Sequence, residues 1–312
     1  LANAFKEIKN YKMALQVYAD ILKINPNDFN TFNNIGIIFE LIGDNNKAIE
    51  AYKQAVRINP NHAKSINNIG VVLYKQKKYK ESAQIFEIAL QVDENYFEVY
   101  SNKGAAYNKA KEYDKAIESL EMAILKMPNH GGAYTNLGNV YNKLHDYEKA
   151  SKLHEKSIEL EPNGSNAYSN LGTSYKYLGL SNKAISSYKK AIELDPNFVN
   201  AHFDLATMYL AMEDFENGWK EYEWRFKKEE MIPHIIRHKD IFSKPLFTGA
   251  EDIKGKVLLL HSEQGYGDSI QFIRFLPQIK EKFGCKIAVK CREGLKELFS
   301  TIEEIDVIVD RS

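Results

Sequence analysis

Residues 131–164 read GGAYTNLGNVYNKLHDYEKASKLHEKSIELEPNG, and residues 165–198 read SNAYSNLGTSYKYLGLSNKAISSYKKAIELDPNF. Both stretches carry Asn-Leu-Gly in their first quarter and a proline followed by two residues at their end. Prolines recur with this period of 34 residues at Pro26, Pro60, Pro128, Pro162 and Pro196, and Glu94 stands where one more is due. A fixed period of this length indicates stacked copies of one supersecondary unit.

Three columns of the repeat show which positions need small or large side chains. With the proline as repeat position 32, position 8 holds Ala2, Gly36, Gly70, Gly104, Gly138, Gly172 and Ala206. Position 11 holds Phe5, Phe39, Leu73, Tyr107, Tyr141, Tyr175 and Tyr209, and position 20 holds Ala14, Ala48, Ser82, Ala116, Ala150, Ala184 and Gly218. We expect the small residues to let two antiparallel helices approach, with the residue at position 11 between them. The proline, which lacks an N–H, is expected to end the second helix.

These columns resemble the tetratricopeptide repeat. The resemblance covers residues 1–232 in seven units, of which the first is incomplete. The complete units are 29–62, 63–96, 97–130, 131–164, 165–198 and 199–232. It implies an all-α superhelix, an α-solenoid, whose first helices line an inner wall and whose concave groove binds a protein or an extended peptide. His154 departs from the pattern because it replaces the aromatic residue of position 24.

Packing does not explain the asparagines of position 6. That column holds Asn34, Asn68, Asn102, Asn136 and Asn170, followed by Asp204. Asparagine costs about half a kcal/mol relative to alanine inside a helix, and the odds of such a column by chance are about 1 in 1,000. Each carboxamide could bond both polar groups of a bound peptide backbone, or the column could be a ladder of hydrogen bonds between repeats. It is similar to the asparagine ladder of the O-linked N-acetylglucosamine transferases, and this similarity implies a protein partner.

Lysines occupy position 13 in three consecutive units, at Lys75, Lys109 and Lys143. They could attract an acidic peptide beside the asparagine column. The alternative is that they lie on a solvated helix face.

The net charge and the cysteines of the chain limit the kinds of partner and the cellular compartment that we expect for it. With 42 basic and 42 acidic residues the formal net charge is zero, so no positive footprint for nucleic acid is expected. No apolar run reaches the roughly 18 to 20 residues of a membrane span. Cys285 and Cys291 lie in one expected strand about 20 Å apart, too far for a disulfide, which indicates a reducing, cytoplasmic setting. The first residue is not methionine, which suggests a fragment.

The pattern changes beyond the repeats. Residues 233–254 are predicted to be a linker, in which His234 and His238 lack a third partner for a metal site. In residues 255–312, strands are predicted at 256–260, 286–290 and 305–309, and helices at 268–282 and 293–300. Strands that alternate with helices predict a parallel α/β sheet, here part of a Rossmann-like domain.

The loop after the first of these strands is a candidate site. Gly265 and Gly267 could let backbone amides face a phosphate or another anion. The third glycine of the dinucleotide fingerprint is absent, because Ile270 stands in its place. Asp268 with Gln271 also fits a helix-capping box.

The run HSEQGYGDSIQFIRFLP at 261–277, preceded by GWKEYEWRF at 218–226, resembles bacterial tetratricopeptide proteins with a C-terminal glycosyltransferase-like domain. It is more distantly similar to the two-lobed heptosyltransferases of the GT-B type. The resemblance implies Asp268 as general base toward an acceptor hydroxyl, Glu263 at the mouth of the cleft and a nucleotide sugar as donor. The second lobe is missing, so we expect this fragment to be inactive and to hold no cofactor. The alternative is a non-catalytic scaffold for protein–protein interaction.

Overall fold

The computed structural model describes residues 1–228, 247, 249–261 and 265–309. The chain divides into two compact units, Leu1–Glu223 and Trp224–Ser312. The first unit is a series of helix pairs. Its first helices are α1 (Ala2–Glu7), α3 (Phe29–Leu41), α5 (Ala63–Lys75), α7 (Glu98–Lys109), α9 (Gly131–Lys143), α11 (Ser165–Tyr177) and α13 (Val199–Ala211). Its second helices are α2 (Tyr11–Ile24), α4 (Asn45–Ile58), α6 (Tyr79–Val92), α8 (Tyr113–Lys126), α10 (Tyr147–Leu160), α12 (Ser181–Leu194) and α14 (Phe215–Tyr222).

The turn inside each pair puts repeat position 15 in the left-handed region. The φ angle there lies between 58° and 84° at Lys9, Gly43, Lys77, Lys111, His145, Gly179 and Glu213. Glycine adopts this conformation without strain, and the five other side chains do not. The second helix then starts on a capping side chain that accepts a backbone N–H three residues later, at Asn10, Asp44, Asp146 and Asp214.

Close approach of the two helices in a pair occurs at position 8, as predicted. A Cβ atom added to Gly36 would lie 2.5 Å from the Tyr52 ring, and one added to Gly104 would lie 2.4 Å from Leu120. The large side chain that faces the glycine is therefore the one at position 24. Position 11 also lies in the core between the helices, as expected, since Leu73 and Tyr107 are buried there. Its aromatic rings lie under a lysine from position 19. The ammonium of Lys149, for example, is 5.0 Å from the ring centre of Tyr141.

The second helices do not require the proline in order to end. Helix α6 ends at Val92, two residues before Glu94, just as α4 ends two residues before Pro60. The side chain at position 31 instead accepts the backbone N–H of position 33, at Asn25, Asn59, Asp93 and Asp195. Such Asx turns compete with the helix for backbone hydrogen bonds and so terminate it.

The second unit contains a parallel sheet, as predicted. Its strands are β1 (Val257–His261), β2 (Lys286–Lys290) and β3 (Val307–Val309), in the spatial order β1-β2-β3. Strand β3 is shorter than predicted. A buried cluster that includes Leu276, Ile287 and Phe299 packs against the sheet. Both cysteines are buried as thiols rather than joined in a disulfide.

The helices of this unit are more broken than the sequence predicted. The expected helix 268–282 is two helices, Tyr266–Ile273 and Leu276–Phe283, because Pro277 lies in the first turn of the second and cannot continue the first. Gly284 ends it in the left-handed conformation. The expected helix 293–300 is a 3₁₀ turn, Glu293–Leu295, followed by Lys296–Phe299.

Most of the linker 233–254, including His234 and His238, lies outside the described residues. Within the described residues, no helix has both the length and the apolar character needed to cross a membrane.

Candidate functional site

Repeat positions 2, 6, 9 and 13 lie on one side of each first helix, because they are three or four residues apart. We call the surface that these positions form on α3, α5, α7, α9, α11 and α13 the first-helix face. Consecutive first helices contact each other from α5 through α13. In residues 1–228, consecutive second helices do not pack against each other to the same extent.

Three asparagines of position 6 are bonded to the preceding repeat. Nδ2 of Asn68 donates to Oδ1 of Asn33 at 3.1 Å, and Nδ2 of Asn102 donates to Oδ1 of Asn67 at 3.2 Å. Nδ2 of Asn136 donates to the Ser101 hydroxyl at 3.1 Å. The column therefore forms hydrogen bonds between repeats, which is the structural alternative to a free peptide clamp.

The same asparagines keep part of their hydrogen-bonding capacity. All three side chains are half-buried, and within the described residues no donor reaches their Oδ1 atoms. The side chains of Asn34 and Asn170 are also half-buried, and no hydrogen bond from them is found in the described part of the chain. Carbonyl acceptors thus recur along the first-helix face.

The sequence interpretation missed the polar side chains at position 5. Asn33, Asn67 and Ser101 are 4–7 % exposed and accept the bonds from position 6 of the next repeat. Ser65 adds a further bond to Asn33 at 2.9 Å. The doublets Asn33-Asn34 and Asn67-Asn68 could have indicated this pairing, because buried amides require partners.

The lysines of position 13 differ from one another. Nζ of Lys75 lies 2.5 Å from Oε1 of Glu40 in the preceding repeat, so this lysine is engaged in an ion pair. Lys109 and Lys143 are exposed, and no ion pair of theirs is found among the described residues. Asp204 ends the asparagine column, and its backbone carbonyl accepts from the Thr207 hydroxyl at 2.7 Å.

A buried histidine lies behind this face in the unit 131–164. Nε2 of His154 is 3.3 Å from Nδ2 of Asn142, and Oδ1 of Asn142 accepts from the Ser174 hydroxyl. The histidine is therefore an acceptor at Nε2, and its Nδ1 has no partner within the described residues. Burial lowers the pKa of His154 to about 4.

The candidate loop of the second unit differs from its prediction. The helix after β1 begins at Tyr266, so Gly267 lies inside the helix, and its N-cap is Gly265 without a side-chain bond. Asp268 is consequently the third residue of the helix and exposed, and the predicted capping box was wrong. Glu263 lies outside the described residues. The described residues contain no group of three or more His, Cys, Asp or Glu side chains placed to hold a metal ion.

Comparison with protein families identifies the repeats. Profiles of the tetratricopeptide repeat match residues 97–160 and 129–197, 63–96, and 187–221, and a profile described as TPR repeat matches residues 41–77. Together these matches extend over residues 41–221. No curated protein matches the sequence.

Solved structures share the helix-pair architecture. The Cut9-Hcn1 hetero-tetramer of the APC/C is similar with a TM-score of 0.63 at 15% identity, over 72% of this chain and 45% of that one. The pilF protein of Pseudomonas aeruginosa is similar with a TM-score of 0.56 at 17% identity, over 68% of this chain and 96% of that one. The MamA protein is 27% identical over 54% of this chain and 92% of its own, with a TM-score of 0.47. The first two likenesses concern the fold alone.

Proposed function

We propose that this chain, which belongs to the tetratricopeptide repeat family, is a scaffold that binds an extended polypeptide along its first-helix face. The observation that carries the proposal is a row of asparagine Oδ1 atoms, at Asn68, Asn102 and Asn136, that no donor from the described residues reaches. Half-buried acceptors gain from a donor that a ligand brings, because they are partly removed from water.

The hydrogen bonds between repeats stabilise the fold, and they also favour peptide binding. One N–H of each carboxamide is used, which fixes the orientation of the side chain before any ligand arrives. A fixed side chain loses less conformational entropy on binding. The remaining N–H and the carbonyl oxygen suit the C=O and N–H groups of a peptide backbone, so the recognition tolerates different sequences.

The contacts among first helices favour a concave groove on this side. In a stacked array the elements on the inner side of the curve lie closer together than those on the outer side. First helices that contact their successors, from α5 through α13, therefore support a curvature with the first-helix face inside. Exposed Lys109 and Lys143 would favour segments with acidic residues, whereas Lys75 is already paired with Glu40.

The test uses an array of unstructured synthetic peptides, with affinity measured by fluorescence anisotropy. The triple variant Asn68→Ala, Asn102→Ala, Asn136→Ala is expected to bind at least about tenfold more weakly, since each lost bond contributes about 0.5–1.5 kcal/mol. Unchanged affinity would show that the column is structural only.

A matched control separates binding from stability. Asn67→Ala together with Ser101→Ala removes two of the inter-repeat acceptors but keeps the carboxamides of position 6. This pair should lower the free energy of unfolding while weakening peptide binding much less than the triple variant does. Equal losses of affinity in the two variants would attribute the effect to the loss of repeat stacking.

We also propose, as a second candidate function, that the second unit takes part in sugar transfer. Asp268 is exposed in the first turn of the helix that follows β1 in the chain, and open α/β sheets bind their ligands at the carboxyl ends of their strands. In this proposal Asp268 is the base toward an acceptor hydroxyl and a nucleotide sugar is the donor. Asp268→Asn in the full-length protein should lower transfer from labelled nucleotide sugars by about a hundredfold. Undiminished transfer would remove the residue from the chemistry, and no transfer by the wild type would leave the interaction scaffold alone.

The buried thiols of Cys285 and Cys291 agree with a reducing compartment, and we propose a cytoplasmic location on that ground. Fractionation of cells that produce the full-length protein tests it, and recovery from an oxidising compartment would contradict it.

A further inference from the structure

A pocket of about 230 Å³ opens in the unit 131–164. It lies between the start of α9, the end of α10 and the start of α11. Its lining includes Gly132, Thr135, Asn136, Ser157, Glu161 and Asn166. We call it the Glu161 pocket. Gly132 and Asn136 occupy positions 2 and 6, so the pocket opens beside the asparagine column.

The unit 29–62 carries aromatic side chains at the equivalent place. In the unit 29–62, positions 1 and 34 are Phe29 and His62, whose rings pack edge to face with centres 4.9 Å apart. In the unit 131–164 the same positions are Gly131 and Gly164. The backbone does not require glycine at 164, because φ is −81° and an added Cβ would meet nothing closer than 3.5 Å.

The glycine at 131 has a direct consequence for Glu161. A Cβ atom at Gly131 would lie 2.7 Å from Cδ of Glu161, so a larger residue there would displace the glutamate side chain. Without one, the carboxylate lies over the first residue of α9. The unit 131–164 thus has an opening with a carboxylate at its wall where the unit 29–62 has an aromatic pair.

The hydrogen bonds in the wall leave acceptors facing the pocket. The Ser157 hydroxyl donates to the carbonyl of Gly131 at 2.9 Å. Its hydrogen is therefore committed, and in the 2.7 Å contact between the two hydroxyls Thr135 must be the donor. The Thr135 oxygen retains only lone pairs. Asn136 donates through Nδ2 to Ser101, which leaves its Oδ1 as a further acceptor.

We propose that the Glu161 pocket binds the ammonium or guanidinium group of a lysine or arginine in the bound polypeptide. The wall offers one carboxylate and several acceptors, and its lining residues include no lysine or arginine. Basic side chains supply only donors and a positive charge, so they complement this wall. The inference rests on the proposed function, since the pocket would select the sequence of a segment that the asparagine column holds by its backbone.

The test uses four small probes: the N-acetyl amides of arginine, lysine, glutamine and glutamate. Their binding is followed by NMR through the backbone amides of Gly132, Gly164 and Asn166. The two basic probes should shift these signals at concentrations at which glutamine does not. The starts of α9 and α11 carry partial positive charge, so the acidic probe is a necessary arm. A preference for glutamate, or equal binding of arginine and glutamine, would overturn the proposal.

Two variants locate the effect, and both are first checked for a wild-type melting curve. Glu161→Gln should weaken the basic probes by about tenfold, as expected for loss of one charged hydrogen-bond partner. Gly164→His introduces the residue that stands at position 34 in the unit 29–62 and should abolish the shifts. Glu148→Gln removes an exposed carboxylate of the same unit outside the pocket and should change nothing. Equal weakening by Glu148→Gln would show that the effect comes from the net charge of the protein and not from the pocket, and it would overturn the proposal.

The outcomes separate this inference from the proposed function. Peptides that bind through the asparagine column with no preference for lysine or arginine would remove the pocket and leave the scaffold. Basic probes that bind in the pocket of a protein that takes up no peptide would remove the scaffold and leave the pocket.

Discussion

The units 29–62 and 131–164 have the same backbone and different interiors. Their first helices have 13 residues each and their second helices 14. In the first unit the ring of Tyr52 is fully buried over Gly36, and its hydroxyl donates to Glu40 at 3.0 Å. In the unit 131–164, His154 takes that place over Gly138, and its Nδ1 has no partner among the residues that the structure describes.

The difference shows that the fold depends on the close approach at position 8 more than on the ring that covers it. Position 8 is glycine in both units, whereas position 24 changes from tyrosine to histidine and positions 1 and 34 from an aromatic pair to two glycines. Neighbouring units pack against the unit 131–164 on both sides and so hold it in the array. The array therefore has room for a unit adapted to a ligand.

The largest expected effect comes from removing the ring itself. Tyr52→Ala should lower the free energy of unfolding by about 3–5 kcal/mol, because it leaves a large cavity in the core. His154→Ala should cost less, since it also removes a buried nitrogen that lacks a partner. Urea denaturation followed by circular dichroism measures both. Equal costs would contradict the difference that we draw between the units.

Acid should affect the histidine unit through His154. Its pKa is about 4 in the folded chain against an ordinary value of 6.5. The unfolded chain binds the proton first as the pH falls, so stability is lost between pH 6.5 and about 4, by roughly 3 kcal/mol in total. His154→Phe should remove this part of the pH dependence. The check compares urea midpoints of the two proteins at about pH 7 and about pH 5, and parallel losses would contradict it.

Added side chains at position 8 should be the next most costly. Gly36→Ala and Gly138→Ala each place a Cβ within 2.6 Å of a buried ring. Overpacking of this kind costs about 1–3 kcal/mol. Gly132→Ala is the matched control in the same helix as Gly138, because its Cβ would meet only the end of the His130 side chain, at 3.1 Å. Loss of stability in the control equal to that of Gly138→Ala would attribute the effect to the helix rather than to the contact.

The smallest effects concern position 15, where the two units again differ. Gly43 and His145 both have positive φ. Gly43→Ala should destabilise the chain by about 1 kcal/mol, because alanine is strained at positive φ. His145→Gly should relieve such strain but stabilise the chain by less than about 1 kcal/mol, because the hydrogen bond between the imidazole and the Tyr147 hydroxyl is lost. Lys77→Gly, which loses no such bond, should show the full gain in melting temperature. A loss of stability in Lys77→Gly would contradict the strain assigned to this turn.

Much of the repeat was readable from the sequence, since its geometry is local. The glycine column predicted the contact within each pair, and the alternation beyond residue 255 predicted three parallel strands. The direct contact of that glycine with position 24 was not predicted, although Tyr52, Phe86 and Tyr188 form a column there that the sequence shows. Pro277 also indicates a break in the helix, whereas the prediction placed one continuous helix at 268–282.

The candidate site was predictable only as a column. Asn68, Asn102 and Asn136 were found because a polar residue recurring in a helix needs a reason. Their partners at Asn33, Asn67 and Ser101 lie 35 residues earlier in the chain, and nothing local connects them.

The amino-acid sequence alone determined the period, the helix pairs and the places where helices approach each other, because these follow from residue size and backbone preference within one unit. Only the stacked structure decided which carboxamide atoms form hydrogen bonds between repeats. It also decided where the Glu161 pocket opens. Those outcomes depend on side chains from adjacent units meeting in space. Which hydrogen bonds are made, and how much space is left unfilled, depend on those contacts between units, so the sequence of a single unit does not determine them.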